Sequence, residues 1–223
     1  MPWDLLTLLL EAQDPETGAA MSEPEVRSNV LTFISAGHET TANTLAWSLY
    51  LLSQSPLWRE RVAAEAAGAT TAGAADLAEQ LPQTRAVIEE ALRLYPPLVA
   101  ISRQAVATDR LSGQTIRRGA MVVIAPYVLH RHRLLWGRPD EFDPGRFLGA
   151  ARESIDRYAY LPFGAGPRIC IGSAFALQEA TLVLATIVRN FTFDLLPGHA
   201  VWPVQRLTLR PGPTLPMVVR PRQ

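Results

Sequence analysis

Lysine is absent from this chain: all 21 basic residues are arginine. That bias points to a GC-rich bacterial genome. Cysteine is almost absent too, with one among 223 residues, which excludes an internal disulfide framework and fits a reducing cytoplasm. Net charge is also missing. With 21 acidic residues balancing the 21 basic ones, nothing advertises a nucleic acid or an acidic membrane surface as partner. No apolar run approaches the ~20 residues of a membrane span. The N-terminus, from Met1 to Leu5, lacks the basic start and small-residue cleavage site of a signal peptide. A soluble, cytoplasmic protein is therefore expected. No internal repeat appears. At 48% hydrophobic residues, the chain can bury a sizeable core as one or two domains.

The pattern predicts mostly helix with small sheets. A short apolar helix over 4–12 leads to a polar turn at Asp14–Gly18. Ser22-Glu23-Pro24-Glu25 reads as a capping box with proline in the first turn. From Val26 to Leu51 an apolar helical period continues, stopping at Ser55-Pro56. A helix of about 30 residues, or ~45 Å, is expected to run through the middle of a domain. Further helices are predicted near 57–67, 83–95 and 172–190, the last with Leu177, Leu184, Val188 and Phe191 on one face. The Ala/Thr/Gly stretch up to about residue 80 reads as a loose connection. Strands are predicted at 98–106, 115–116 and 121–125, with more among 191–219. Residues 130–168 show little regular pattern.

The one cysteine lies in Phe163-Gly164-Ala165-Gly166-Pro167-Arg168-Ile169-Cys170-Ile171-Gly172. Taken alone, a single cysteine is more often a small buried hydrophobe. Its surroundings suit a different task. Gly166 permits the positive φ that bends the backbone towards a flat ligand, and Pro167 stiffens that bend. Arg168 puts a fixed cation two residues before the sulfur. Gly172 leaves room for a planar group, and a predicted helix follows, whose free N–H groups stabilise negative charge. The frame F-x-x-G-x-R-x-C-x-G closely resembles the haem-binding loop of the cytochrome P450 family. The resemblance implies that Cys170 is the axial ligand of a haem iron, with Phe163, Gly166, Arg168 and Gly172 around the cofactor.

A second match lies mid-helix, at Ala36-Gly37-His38-Glu39-Thr40-Thr41. Glycine and paired threonines are poor helix formers, and a packing notch is the plain reading. The other reading has the Thr40 hydroxyl taking the Ala36 carbonyl and opening a groove, with Glu39 passing protons inwards. This segment is similar to the family's A/G-G-x-D/E-T-T/S motif, which implies catalytic roles for Glu39 and Thr40 and a place beside haem for Ala36. Glu90 and Arg93 can pair at i,i+3 on one helix face. Alone, that is a weak signal. The segment around it, through Tyr95-Pro96-Pro97, resembles the family's K helix, where such a pair is buried and joined by a later arginine. Here Arg146 fills that place, in Asp143-Pro144-Gly145-Arg146-Phe147, with Gly145 replacing the usual acid. The resemblance also implies that Arg103 faces a haem propionate and that residues 97–100 line the substrate side. His130 and His132 lack the companions of a zinc site and read as loop residues. Gly164-x-Gly166 lacks the third glycine of a dinucleotide fingerprint.

The resemblance covers essentially the whole chain but only the C-terminal half of the family. Residues 1–223 are expected to be that portion of a single domain, with the long central helix, K-type and L-type helices and haem loop, as a truncated fragment. The implied activity is that of a haem-thiolate monooxygenase. It would insert one atom of O₂ into a small organic substrate, using haem b (iron protoporphyrin IX). No flavin or iron–sulfur motif is present, so electrons would come from NAD(P)H through an external ferredoxin or flavodoxin and its reductase. Two alternatives remain open. One is a peroxide-using or rearranging relative, against which Glu39 and Thr40 count. The other is a non-catalytic remnant unable to hold haem.

Overall fold

Ser22 donates its backbone N–H and its hydroxyl to Glu25 Oε2, at 2.8 and 2.7 Å. That bonding ties down the start of the longest helix. A computed structural model describes residues 4–70 and 73–222, preceded in the count by Met1–Trp3 and interrupted at 71–72. The chain divides into two compact units, Met1–Thr40 and Thr41–Gln223. In the first, α1 (Leu5–Glu11) is capped by Asp4, whose carboxylate accepts the Thr7 N–H at 2.8 Å. The long helix α2 (Glu23–Gln54) crosses from the first unit into the second. Glu23 and Glu25 sit in its first turn, where negative charge complements the helix dipole.

The expectation that α2 is central holds only for its later turns. Thr44, Trp47, Ser48, Leu51 and Leu52 are buried, whereas Leu31 and Ile34 are 56% and 63% exposed. Pro56 then opens α3 (Pro56–Gly68), because a proline tolerated in a first turn cannot continue the helix before it. The stretch read as a loose connection contains α4 (Ala74–Glu79). Three of its six residues are alanine, the strongest helix former, and that outweighed the flanking glycine and threonine.

The core of the second unit forms where α3, α5 (Pro82–Leu94) and α8 (Ser173–Asn190) meet. Val62, Val87, Ile88, Leu184, Val188 and Phe193 are all at or near zero exposure. Ten of the thirteen residues of α5 are buried. Its N-terminus is held by Glu65 of α3, whose carboxylate accepts from Gln83 N, Thr84 N and Thr84 Oγ1 at 2.7, 2.8 and 2.7 Å. A carboxylate there satisfies donors that the helix itself leaves open.

Four antiparallel two-stranded ladders complete the described residues. β1 (Ile101–Gln104) pairs with β4 (Met121–Ile124), with Arg103 opposite Val122. β2 (Asp109–Leu111) pairs with β3 (Gln114–Ile116) across Ser112 and Gly113, whose φ values of 48° and 80° suit a tight hairpin. β2 is polar and fully exposed, so no alternation announced it. β5 (Phe191–Leu195) pairs with β8 (Met217–Pro221), and β6 (Pro203–Gln205) with β7 (Leu209–Pro211). Phe191 opens β5 and is 40% exposed rather than lying on the α8 face. The region read as irregular holds α7 (Gly149–Glu153) and two short 3-10 turns, Pro144–Phe147 and Gly166–Arg168. α6 (Pro126–Leu129) lies just before it. No described helix is long and apolar enough to cross a membrane.

Candidate functional site

The cysteine loop is built by two left-handed glycines. Gly164 and Gly166 have φ of 74° and 73°, which side chains with a Cβ rarely adopt. The Gly164 N–H donates to Leu161 O at 3.2 Å, and the Cys170 N–H closes the loop on Phe163 O at 2.9 Å. Phe163 packs against the main core, so the loop is anchored at one end while Cys170 is exposed at the other. α8 starts three residues later, and Ser173 N–H donates to Cys170 O at 3.4 Å. Gly172 has φ −86°, open to any residue, and a Cβ there would meet Cys170 Sγ at 4.0 Å, an ordinary contact. The close passage expected at Gly172 is therefore not written in its own backbone.

Ile169 and Ile171, which flank Cys170 in sequence, and Phe175 in the first turn of α8 are all exposed. Arg168 is exposed at the end of its 3-10 turn. Ile101 Cδ1 approaches within 3.5 Å of where a Gly164 Cβ would stand, so β1 lies against the loop. Alternation along a strand puts Arg103 on the same face as Ile101. Among the described residues, its guanidinium donates to Ser102 O at 2.8 Å. Neither Arg103 nor Arg168 has a carboxylate partner among the described residues. An exposed thiol with exposed apolar side chains next to it in sequence, and arginines without carboxylate partners on the loop and on β1, fits a flat apolar ligand that carries carboxylates and a thiolate-seeking metal. It does not fit a protein-only metal cage, since no cluster of three His, Cys, Asp or Glu ligands occurs among the described residues.

A buried charge network lies on α5. Arg93 Nε and Nη2 donate to Glu90 Oε2 and Oε1 at 2.6 and 2.8 Å, with both side chains at 0% exposure. Arg93 also donates to the carbonyls of His130, Pro139 and Glu141, at 2.8, 2.6 and 3.0 Å. Burial pushes the Glu90 carboxyl above its ordinary range, while Arg93 and the Asp143 N–H pull it back. Arg146 stands at the edge of this network. Its Nε is 3.6 Å from Glu90 Oε1 and has no hydrogen bond, and its Nη2 donates to Arg138 O at 2.9 Å. Glu89, the neighbour of Glu90, is also buried and raised by desolvation, with Arg152 and Arg85 opposing. It accepts from Arg152 Nη2 at 3.1 Å, and Tyr160 Oη donates to its carbonyl at 2.8 Å.

His130 lies in the turn that ends α6, as its reading as a loop residue expects, but it is not solvated. It is fully buried, with Nδ1 3.2 Å from Arg93 O and Nε2 accepting the Leu161 N–H at 2.8 Å. His132 is exposed, as a loop residue would be. Nothing in the linear pattern Leu129-His130-Arg131-His132 distinguishes the two. Along residues 97–100, Pro97 is buried with its carbonyl taken by Leu209 N–H at 2.9 Å, while Leu98 and Ala100 are exposed.

Glu39, Thr40 and Ala36 belong to the first unit, and the other site residues to the second. The Thr40 hydroxyl donates to Ala36 O at 2.7 Å. The helix runs unbroken through both residues. No atom stands within 4 Å of a Cβ placed on Gly37, so no packing partner explains that glycine among the described residues.

Comparison with known proteins follows this geometry closely. The cytochrome P450 family model matches residues 1–218. Cyclooctatin synthase of Streptomyces melanosporofaciens is 40% identical over 221 residues, or 98% of this chain and 48% of that protein. Cyclooctat-9-en-7-ol 5-monooxygenase of the same organism is 43% identical over 222 residues, with the same shares. The solved heme domain of cytochrome P450DA matches with a TM-score of 0.91 at 36% identity, covering 99% of this chain and 49% of that one. The chain spans about half the length of the relatives it matches.

Proposed function

The chain belongs to the cytochrome P450 family, and from that premise we propose that it carries the haem-thiolate portion of a monooxygenase. The observation that supports this best is the exposed Cys170 thiol at the mouth of a loop shaped by Gly164 and Gly166. Family membership implies haem; haem b is the form proposed here. When bound, it supplies activation of O₂, one atom entering the organic substrate and the other leaving as water, with electrons from NAD(P)H.

The residues of this chain would divide the work around it. Cys170 Sγ would hold the iron as a thiolate, a ligand that donates electron density to a metal. Arg103 and Arg168 would bind the propionates, as guanidinium matches a carboxylate in charge and geometry. Phe163, Gly166 and Gly172 would flank the ring, and Ala36 is proposed beside it on the resemblance of its motif alone. Thr40 Oγ1, which donates to Ala36 O at 2.7 Å, would receive a proton handed on from Glu39. The Glu90, Arg93 and Arg146 group fixes the scaffold below the loop and touches no substrate. A ferredoxin or flavodoxin with its reductase would deliver the electrons, and a cytoplasmic setting belongs to the same proposal, supported by the single cysteine.

The test is haem titration of the purified chain followed by a carbon monoxide difference spectrum. A thiolate-type band that disappears in Cys170→Ser is expected. A haem complex with an unchanged thiolate band in that variant would remove Cys170 as ligand. Failure to take up haem at all would favour the non-catalytic reading.

A further inference from the structure

His130 and Arg93 hold each other by exchange. The Arg93 guanidinium donates to the His130 carbonyl at 2.8 Å, and the His130 ring donates to the Arg93 carbonyl at 3.2 Å. The backbone of His130 is itself fixed at the end of α6, its N–H donating to Pro126 O at 2.8 Å. The far ring nitrogen faces the cysteine loop, where it accepts the Leu161 N–H at 2.8 Å.

These partners assign the tautomer. A carbonyl only accepts and an N–H only donates, so Nδ1 carries the proton and Nε2 the lone pair. The neutral imidazole is therefore a two-ended brace of fixed length. One end is the exit of the helix bearing the Glu90–Arg93 pair. The other is the residue whose carbonyl, accepting from Gly164 N–H at 3.2 Å, begins the loop turn. Within that turn Phe163 O receives the Cys170 N–H at 2.9 Å.

We infer that His130 is a positioning residue for the Cys170 loop, setting its height above α5 by holding Leu161 with Nε2 while Arg93 O holds Nδ1. A side-chain amide also carries a donor and an acceptor, but aims both to one side of a single carbon, whereas the imidazole aims them outwards across a ring. Asparagine is too short, and only glutamine has the length, to bring an oxygen towards Leu161 in place of Nε2. The meaning of this brace for catalysis rests on the Cys170 loop being the haem loop, but its existence does not.

The experiment uses the full chain without added haem, so its failure is separate from failure of the ligand assignment. Nitrogen chemical shifts of His130 are expected to report a neutral Nδ1–H ring at pH 7; an Nε2–H ring overturns the proposal before any variant is made. Amide exchange is then followed at Leu161, Gly164 and Cys170. His130→Asn and His130→Phe should speed it by about tenfold, the loss expected when a partly buried N–H loses its acceptor. His130→Gln should stay within about threefold of the native chain, because an acceptor again faces Leu161. Exchange at the β5/β8 pairing of Phe193 with Val219 should change equally little in Asn and Gln. Equal loop acceleration in Asn and Gln, or acceleration shared by β5/β8, would reduce His130 to a general stabiliser and sink the idea.

Discussion

Asp143 donates its backbone N–H to Glu90 Oε1 at 2.9 Å, inside the distance at which Arg146 Nε stands from the same oxygen, 3.6 Å. The third group on Glu90 is thus a peptide N–H, and the arginine contributes charge from one step further out. This ordering assigns different weights to the three charged residues. Glu90 and Arg93 are buried and mutually required, whereas Arg146 retains some solvent and bonds a carbonyl elsewhere.

Glu90→Ala should therefore destabilise the second unit by ~3–5 kcal/mol, since it strands a buried guanidinium. Arg146→Ala should cost only about 1 kcal/mol, in the range of a partly exposed ion pair. Urea unfolding of both variants checks this, and equal losses would contradict the ordering.

Gly145 occupies the place of the acid usual in the family, and the structure gives it a local reason. A Cβ there would stand 2.9 Å from Asp143 Oδ1, the oxygen that accepts the Gly145 N–H at 3.1 Å. Gly145→Ala should displace that carboxylate and cost about 1 kcal/mol, the value of a lost cap. In an Asp143→Ala background the same substitution should cost nearly nothing. A cost that persists there would place the strain elsewhere.

The same buried histidine gives stability a pH window. Burial holds the His130 ring down to about 4, from an ordinary 6.5. The positive charges of Arg93 and Arg131 add to that effect, while the Arg93 carbonyl opposes it. Above pH 6.5 neither the folded nor the unfolded ring is charged. Between about 6.5 and 4 the unfolded chain takes a proton that the folded one refuses, so stability falls as pH falls. The ring of Tyr160, 5.3 Å away, stays neutral throughout, its hydroxyl pushed further up by burial. Glu89 and Glu90, both raised, act in the opposite sense, so the comparison must be made against His130→Gln. From pH 7 to pH 5 the advantage of the native chain over that variant should shrink by about 2 kcal/mol. A constant difference would show that the ring titrates normally.

Much of this architecture could be read along the chain. Pro56, Pro82 and the Pro96-Pro97 pair punctuate the helices because proline acts through local sterics alone. Positive φ at Gly164 and Gly166 is equally local. What escaped reading depends on distant partners: His130 looks like His132 until Arg93 and Leu161 are brought to its two nitrogens. α4 was hidden by its glycine and threonine neighbours, and β2 by having no buried face. The exposure of Leu31 and Ile34 on α2 reflects surroundings that no helical period encodes.

Thr40 gives a case where stability and chemistry should part. Its hydroxyl bonds Ala36 O at 2.7 Å, an i−4 contact that adds little to a helix. Alanine is also the better helix former by about 0.5 kcal/mol. Thr40→Ala should leave unfolding within about 1 kcal/mol of the native chain. In a haem-loaded protein completed with a related N-terminal half, it should divert NAD(P)H electrons into peroxide at the expense of product. Unaltered coupling would count against the proton-handling role, and a large loss of stability would make the residue structural.

The surface around Cys170 makes the last prediction, which concerns the chain by itself. Ile169, Ile171 and Phe175 are 56%, 84% and 70% exposed beside the thiol, and Leu98 is 48% exposed nearby in sequence to β1. Apolar surface of this kind exceeds what a soluble monomer ordinarily leaves to water once it becomes contiguous. The chain without haem should therefore bind an apolar fluorescent dye strongly and associate at micromolar concentration. Haem should compete with the dye, because it would cover the same side chains. Ile171→Ser should weaken dye binding severalfold without altering the buried core, since its side chain packs outside it. Cys170→Ser should leave dye binding unchanged, as a single sulfur adds little apolar area, yet abolish the thiolate spectrum. If haem left the dye in place, the exposed apolar side chains of Ile169, Ile171 and Phe175 and the cofactor site would be different surfaces, and the expectation that haem covers them would fall.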